Sequence, residues 1–352
     1  MVTGRLAGVL VLVVAGCGRI GFERPGAIVA GDGANGDGVV GDGVVGDGLL
    51  ALSCASLAAT CGQTGAEPCC GSPLVSGGSF RRSYDVASDG MFPDMTNPAT
   101  VSDFRLDTYE VTVGRFRQFV SAGKGTRADP PAAGAGARTL NGMPNQAGWD
   151  PAWNAGLTTN TAALVAGVNC DPTYQAWTDV PGTNESVAMN CITWSEAMAF
   201  CVWDGGFLPT EAEWNYAAAG GNEQRAYPWS SPASALGIDC SYANYQSATG
   251  ECVAPPTGAP NRVGGESPRG DGRWGQADLG GNVWEWTLDW YTGPPAYPNP
   301  CNNCADLTSA FARVIRGGSF SDMPSSVRVG IRNFAGPGTR YYVAGVRCAR
   351  LP

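Results

Sequence analysis

The sequence predicts an α+β domain, rich in loops and braced by disulfides, and three observations carry that reading. Short alternating apolar runs that suit strands are mixed with only two sharply signalled helices. The chain holds 51 Gly and 25 Pro, which break it into long connections. It also holds 13 Cys, an even twelve once Cys17, beside an exported-protein leader, is set aside. With 352 residues, 43% hydrophobic, there is chain enough for one large domain with a substantial core.

The leader comes first. Met1 to Gly16 carries one positive charge, Arg5, then an apolar run from Leu6 to Val14 that is too short to span a bilayer and fits a secretory signal. Val14-Ala15-Gly16-Cys17 resembles the bacterial lipobox, which implies a signal peptide over 1–16 and lipidation of Cys17. Gly18 rather than Asp in the next position implies sorting to the outer membrane, facing the periplasm or the cell surface. Such a compartment favours disulfides over free thiols.

From Gly31 the unit Gly-Asp-Gly-x-x recurs every five residues to Gly48, a period that suits neither collagen nor a calcium-binding β-helix, so 17–50 reads as a flexible acidic tether. Cys54, Cys61, Cys69 and Cys70 crowd the stretch 51–72, a stapled stem. A vicinal 69–70 bond is strained, which leaves two schemes joining each of the later pair to an earlier partner. The remainder, 73–352, is the folded domain.

Within that domain, Phe104 and Leu106 alternate with polar neighbours as in a strand, and Val113, Phe116 and Val120 fall at helical spacing behind a Thr112 cap. Gly123 to Glu185 is weakly patterned and reads as loops. Thr193-Trp194-Ser195-Glu196 and Thr210-Glu211-Ala212-Glu213 both fit the capping box, so Glu196 and Glu213 read as caps rather than general bases. Gly205-Gly206 ends the first of these helices.

Composition excludes several functions. A net charge of -9, with no cluster of Arg and aromatics, argues against nucleic acid as a partner. The chain has no His, which removes Ser-His-Asp and Cys-His catalysis and every His-ligated metal.

Trp203-Asp204-Gly205-Gly206-Phe207-Leu208-Pro209-Thr210-Glu211-Ala212-Glu213-Trp214 resembles the signature of the formylglycine-generating enzyme family, the sulfatase-modifying factor domains. Tyr227-Pro228-Trp229, Gly281-Asn282-Val283-Trp284-Glu285-Trp286, Arg313-Val314-Ile315-Arg316-Gly317-Gly318-Ser319-Phe320 and Gly345-Val346-Arg347-Cys348 follow in the family's order. Upstream, Tyr109-Glu110-Val111-Thr112 is similar to its opening strand and helix. The resemblance implies a C-type-lectin-like α+β fold. It also implies that active members hold copper with two thiolates just beyond Gly-Gly-Ser-aromatic. Asp322 and Val327 stand in those positions, and neither can replace a thiolate on soft Cu(I), so no copper and no catalytic residue are expected. Pocket-like Ser319 and Trp284 remain. The family's iron-dependent sulfoxide synthases need histidines, which this chain lacks.

The resemblance further implies a calcium site at Asp278, Leu279, Gly281, Val283 and Glu285, where carboxylates and carbonyls suit a hard cation. Only Asn244 and Tyr245 match a second one; its usual Asp falls near Val253. Cys201 and Cys348 occupy positions that pair in the family, a closure that contributes about 4 to 5 kcal/mol in the chain-entropy model. Local partners are Cys170 with Cys191 and Cys240 with Cys252, while Cys301-Asn302-Asn303-Cys304 reads as a loop disulfide.

The expectation is therefore a lipid-anchored cell-envelope protein that binds an unidentified protein or glycan, or serves structurally, without generating formylglycine. By analogy with silent family members its binding face is Asp322, Met323, Ser326, Arg328, Arg332, Asn333 and Tyr341. The alternative is a periplasmic oxidase working in the same groove without thiolates.

Overall fold

The strands and helices follow one another as β1 (Leu74–Val75), β2 (Gly78–Arg81), β3 (Pro98–Val101), β4 (Phe104–Leu106), α1 (Val113–Ser121), β5 (Arg138–Leu140), β6 (Met143–Gln146), α2 (Thr161–Val168), α3 (Trp194–Trp203), α4 (Glu211–Ala218), β7 (Gln246–Ser247), β8 (Gly250–Glu251), β9 (Trp284–Trp290), β10 (Cys301–Asn302), β11 (Arg313–Arg316), β12 (Asn333–Ala335), β13 (Ala344–Gly345) and β14 (Ala349–Arg350). This computed structural model describes residues 51–87, 95–140, 143–146, 148–247, 250–252, 259–293 and 297–352. All of them belong to one compact unit, Gly43–Pro352. The leader, Cys17 and the tether lie outside the described residues.

The helix starts follow from their caps. Thr112 accepts from the Arg115 N–H, and Thr193 and Thr210 each form a full capping box with Glu196 and Glu213. Both glutamates also pair with arginines, Glu196 with Arg340 and Glu213 with Arg138. A buried carboxylate cap needs such a counterion.

Three small sheets carry the fold, in the orders β1-β4-β14, β10-β3-β2 and β12-β11-β9-β13. Phe116, Phe119, Phe200, Trp286 and Ile315 build the larger core between α1, α3 and the β9 sheet. A second core gathers Phe80, Phe104, Leu106 and Trp214. Arg115 and Arg350, together with Asp107 and Asp204, lock α1, α3 and β14 together in one buried network. Among the described residues no helix is long and apolar enough to cross a membrane.

Six disulfides brace the domain. Cys54–Cys70 and Cys61–Cys69 select one of the two schemes left open for the stem; Cys170–Cys191, Cys240–Cys252 and Cys301–Cys304 close local loops. Cys201–Cys348 ties α3 to the segment entering β14. The stem is packed on the domain: Ser53 is buried, its N–H donating to Asp204 and its hydroxyl accepting from Arg115.

One expectation is corrected. The stretch 123–185, read as loops, contains the β5-β6 hairpin and α2. The α2 sequence Thr-Ala-Ala-Leu-Val-Ala-Gly-Val is apolar almost throughout, so no polar face reveals a helical period. Its Asn160 cap, accepting from the Ala163 N–H, is the one sequence signal available.

Candidate functional site

β11 leads into Gly317 and Gly318, which turn with φ of 103° and 77°. A Cβ on Gly318 would lie 2.5 Å from Val327 Cγ1 and 2.9 Å from its Cα, so only glycine allows residue 327 this close. Val327 is fully buried with Tyr227, Ala243 and Tyr245. The next turn brings two side chains to one oxygen of a third, Asp322. Ser319 donates its hydroxyl to Asp322 Oδ2, and the Trp284 indole N–H, at the start of β9, reaches the same atom at 2.8 Å. The Asp322 backbone is fixed too, its carbonyl accepting from Gln246 at 2.9 Å. Beside this turn Tyr174 stacks on Tyr342 with centroids 4.8 Å apart and meets Phe320 at 5.9 Å.

This arrangement is an oriented, half-buried carboxylate, able to accept hydrogen bonds from a ligand. It does not fit copper. All twelve cysteines of the described residues are in disulfides. An aspartate and a buried valine stand where the resemblance places thiolates.

The expected binding face needs two corrections. Met323, Asn333 and Tyr341 are exposed, and Asp322 and Ser326 half-buried. Arg328 and Arg332, however, point inward. Arg328 pairs with Asp85 at 2.9 Å, and Arg332 with Glu211 at 2.7 Å while lying over the rings of Tyr291 and Tyr297. Buried carboxylates require these cations, so they hold the fold.

The first calcium set is also altered. Glu285 does not offer its carboxylate to a cation, because Arg347 holds both oxygens at 2.8 to 3.1 Å and Trp214 Nε1 donates to Oε2 at 2.7 Å. Asp278 accepts from the Gly264 N–H at 2.6 Å. Burial, with Glu266 next, pushes Asp278 up to about 8. Glu110 escaped the sequence reading: lodged in an apolar strand-like run, it binds Asn282 Nδ2 at 2.5 Å and the Val283 N–H at 3.1 Å. Burial raises its carboxyl well above the usual range. For the second set, Asn244 Oδ1 is buried without a partner, an oxygen suited to a hard cation. Val253 lies outside the described residues. Among the described residues, no three His, Cys, Asp or Glu side chains form a metal-holding group.

Raised carboxyls predict a stability that falls as pH rises. Burial and then Glu211 push Asp289 up to about 7. Its neutral form is favoured in the fold, so its contribution is complete below the ordinary carboxylate pKa of about 4 and is lost as pH rises through about 7. Asp278 and Glu110, raised by the same kind of burial, add to this dependence, so Asp289 carries part of it. The melting temperature in chelator is expected to fall from pH 5 to pH 8, and Asp289→Asn to flatten that slope. An unchanged slope in the variant would show that Asp289 does not set it.

Comparison with known proteins follows this geometry. The profile of the sulfatase-modifying factor enzyme 1-like domain matches residues 58–352. A formylglycine-generating enzyme of Thermomonospora curvata is 29% identical over 310 residues, 80% of this chain and 94% of that protein. A hercynine oxygenase of Mycolicibacterium smegmatis is 30% identical over 298 residues, covering 79% of this chain and 60% of its own length. Among solved structures, PvdO of Pseudomonas aeruginosa is 20% identical over 79% of this chain and 93% of its own, with a TM-score of 0.49.

Proposed function

The chain belongs to the sulfatase-modifying factor enzyme 1-like family, whose members similar to it include oxygen-dependent modifying enzymes, and from that premise we propose that it is a cell-envelope lipoprotein whose domain binds a protein or glycan, or serves structurally, rather than generating formylglycine. The observation that supports this most directly is the cysteine inventory. Thiolate-held Cu(I) needs soft ligands, and no cysteine of the described domain has a free thiol. The binding face is the groove over Trp284, Ser319 and Asp322, rimmed by Met323, Asn333 and Tyr341. Lipid on Cys17 would anchor the chain to the outer membrane; Cys17→Ala should then move it from the membrane fraction to the soluble one.

Calcium belongs to this proposal as a structural ion. Asp278 and the carbonyls of Leu279, Gly281 and Val283 would hold it at the Trp284 turn, without Glu285; Asn244 with Tyr245 would serve a second ion. Bound there, it would stabilise the ionised form of Asp278 that burial otherwise disfavours, and stiffen the Trp284 turn.

The test is metal content and turnover of the purified chain with disulfides intact. Expected are calcium, no stoichiometric copper, and no oxygen-dependent loss of thiol from a cysteine peptide. Asp322→Cys combined with Val327→Cys should confer copper binding if the groove otherwise survives. Stoichiometric copper in the unaltered protein would sink the proposal.

One observation favours a second reading. Ser319 and Trp284 both donate to Asp322, which preorganises that carboxylate as an active-site acid or base could be. Oxygen consumption lost on Asp322→Asn would support an enzyme using non-thiolate chemistry in this groove.

A further inference from the structure

A cavity lies at the far end of β9, about 20 Å along the strand from Trp284 at the usual rise per residue. It encloses about 390 Å³, within the range of small-molecule sites. Met198 of α3, Phe207, Leu288 and the rings of Trp153 and Trp290 form its apolar walls. Two arginines make it more than a packing defect. Arg138 lines the cavity and is only 4% exposed; its terminal nitrogens bind Glu213, but its Nε–H is buried and has no acceptor. Arg313 stands behind the wall with its guanidinium carbon 3.6 Å from the ring centres of both Trp194 and Trp290. One of its nitrogens reaches the Leu288 carbonyl at 2.5 Å, while Nε and Nη2 are buried without partners.

A buried donor without an acceptor is costly, the more so when charged, and needs a physical explanation. Burial drives the Arg313 pKa down to about 9, against the opposing pull of Asp289 and Asp306. The carboxylate on the cavity wall, Asp150, is exposed and already accepts from the Ala152 N–H at 2.8 Å.

We propose that this cavity is a binding site for a small organic anion with a flat apolar body, its rings stacked on Trp153 and Trp290 and its carboxylate drawn to the Arg138 guanidinium in the wall. Electrostatic attraction to Arg313 through the thin aromatic wall adds to the preference for negative charge. The site shares no residue with the Asp322 groove and stands whether or not that groove is catalytic.

The experiment is calorimetric titration of the full chain with 2-naphthoate and, as a comparator of equal shape and opposite charge, 2-naphthylmethylamine. The expected result is saturable 1:1 binding of 2-naphthoate, at least tenfold tighter than the amine. Ser309 lines the cavity at an exposed position, so Ser309→Trp should fill the mouth without disturbing the core and abolish binding. Arg138→Met should weaken 2-naphthoate at least tenfold; because that change also strands Glu213, its folding is checked by circular dichroism, and Ser309→Trp decides the matter if it fails. No binding, equal affinity for both probes, or undiminished binding to Ser309→Trp each overturns the proposal.

Discussion

Arg347→Met is expected to lower the unfolding free energy by about 3 to 5 kcal/mol in urea denaturation of the disulfide-intact chain. Arg347 is fully buried and ties three other segments to its own. It donates to both oxygens of Glu285 on β9, to the carbonyls of Asp107 and Thr108 beyond β4, and to that of Ala277 before the Trp284 turn. Methionine keeps much of the volume but strands the Glu285 carboxylate, which retains only the Trp214 indole. An uncompensated buried charge is the costly part. Adding Glu285→Gln should therefore recover part of the loss, and the double variant should be more stable than Arg347→Met alone. A single-variant loss below about 1 kcal/mol would show that the Coulombic pair, as for many buried pairs, only offsets its own desolvation.

Removing the Cys201–Cys348 bridge by paired alanine substitution is the other large effect, about 5 kcal/mol in the chain-entropy model for a separation of 147 residues. The bridge sits where the two cores meet: Cys201 is on α3, and Cys348 immediately precedes β14, which pairs with β4. Most of the effect acts on the unfolded chain, so the folded variant should keep the same groove and, where a ligand is known, the same affinity. An equal loss on removing Cys301–Cys304, which closes only three residues, would show that strain or packing dominates instead of loop entropy.

Features written in contiguous residues were legible. Thr193 with Glu196 and Thr210 with Glu213 marked their helix starts because a capping box is local chemistry. The α2 helix was missed for the same reason in reverse: its near-uniform apolar surface carries no period to read. The roles of the arginines were not legible at all. Arg328 and Arg332, placed on a binding face, are internal because their carboxylates come from Asp85 and Glu211, 243 and 121 residues away in sequence.

By itself the sequence determined that it holds no histidine, that its cysteines number an even twelve beyond Cys17, and that Asp322 and Val327 stand beyond Gly317-Gly318-Ser319-Phe320, where the family resemblance would put thiolates. These are facts of composition and register, independent of folding. Only the tertiary structure decided that Glu285 belongs to Arg347 rather than to a cation, that Ser319 and Trp284 share one oxygen of Asp322, and that Arg138 and Arg313 keep unmet donors beside a cavity. A charged side chain has the same local sequence signature whether it faces water, an ion or a partner. Its role is set by which distant group desolvation brings within hydrogen-bonding reach.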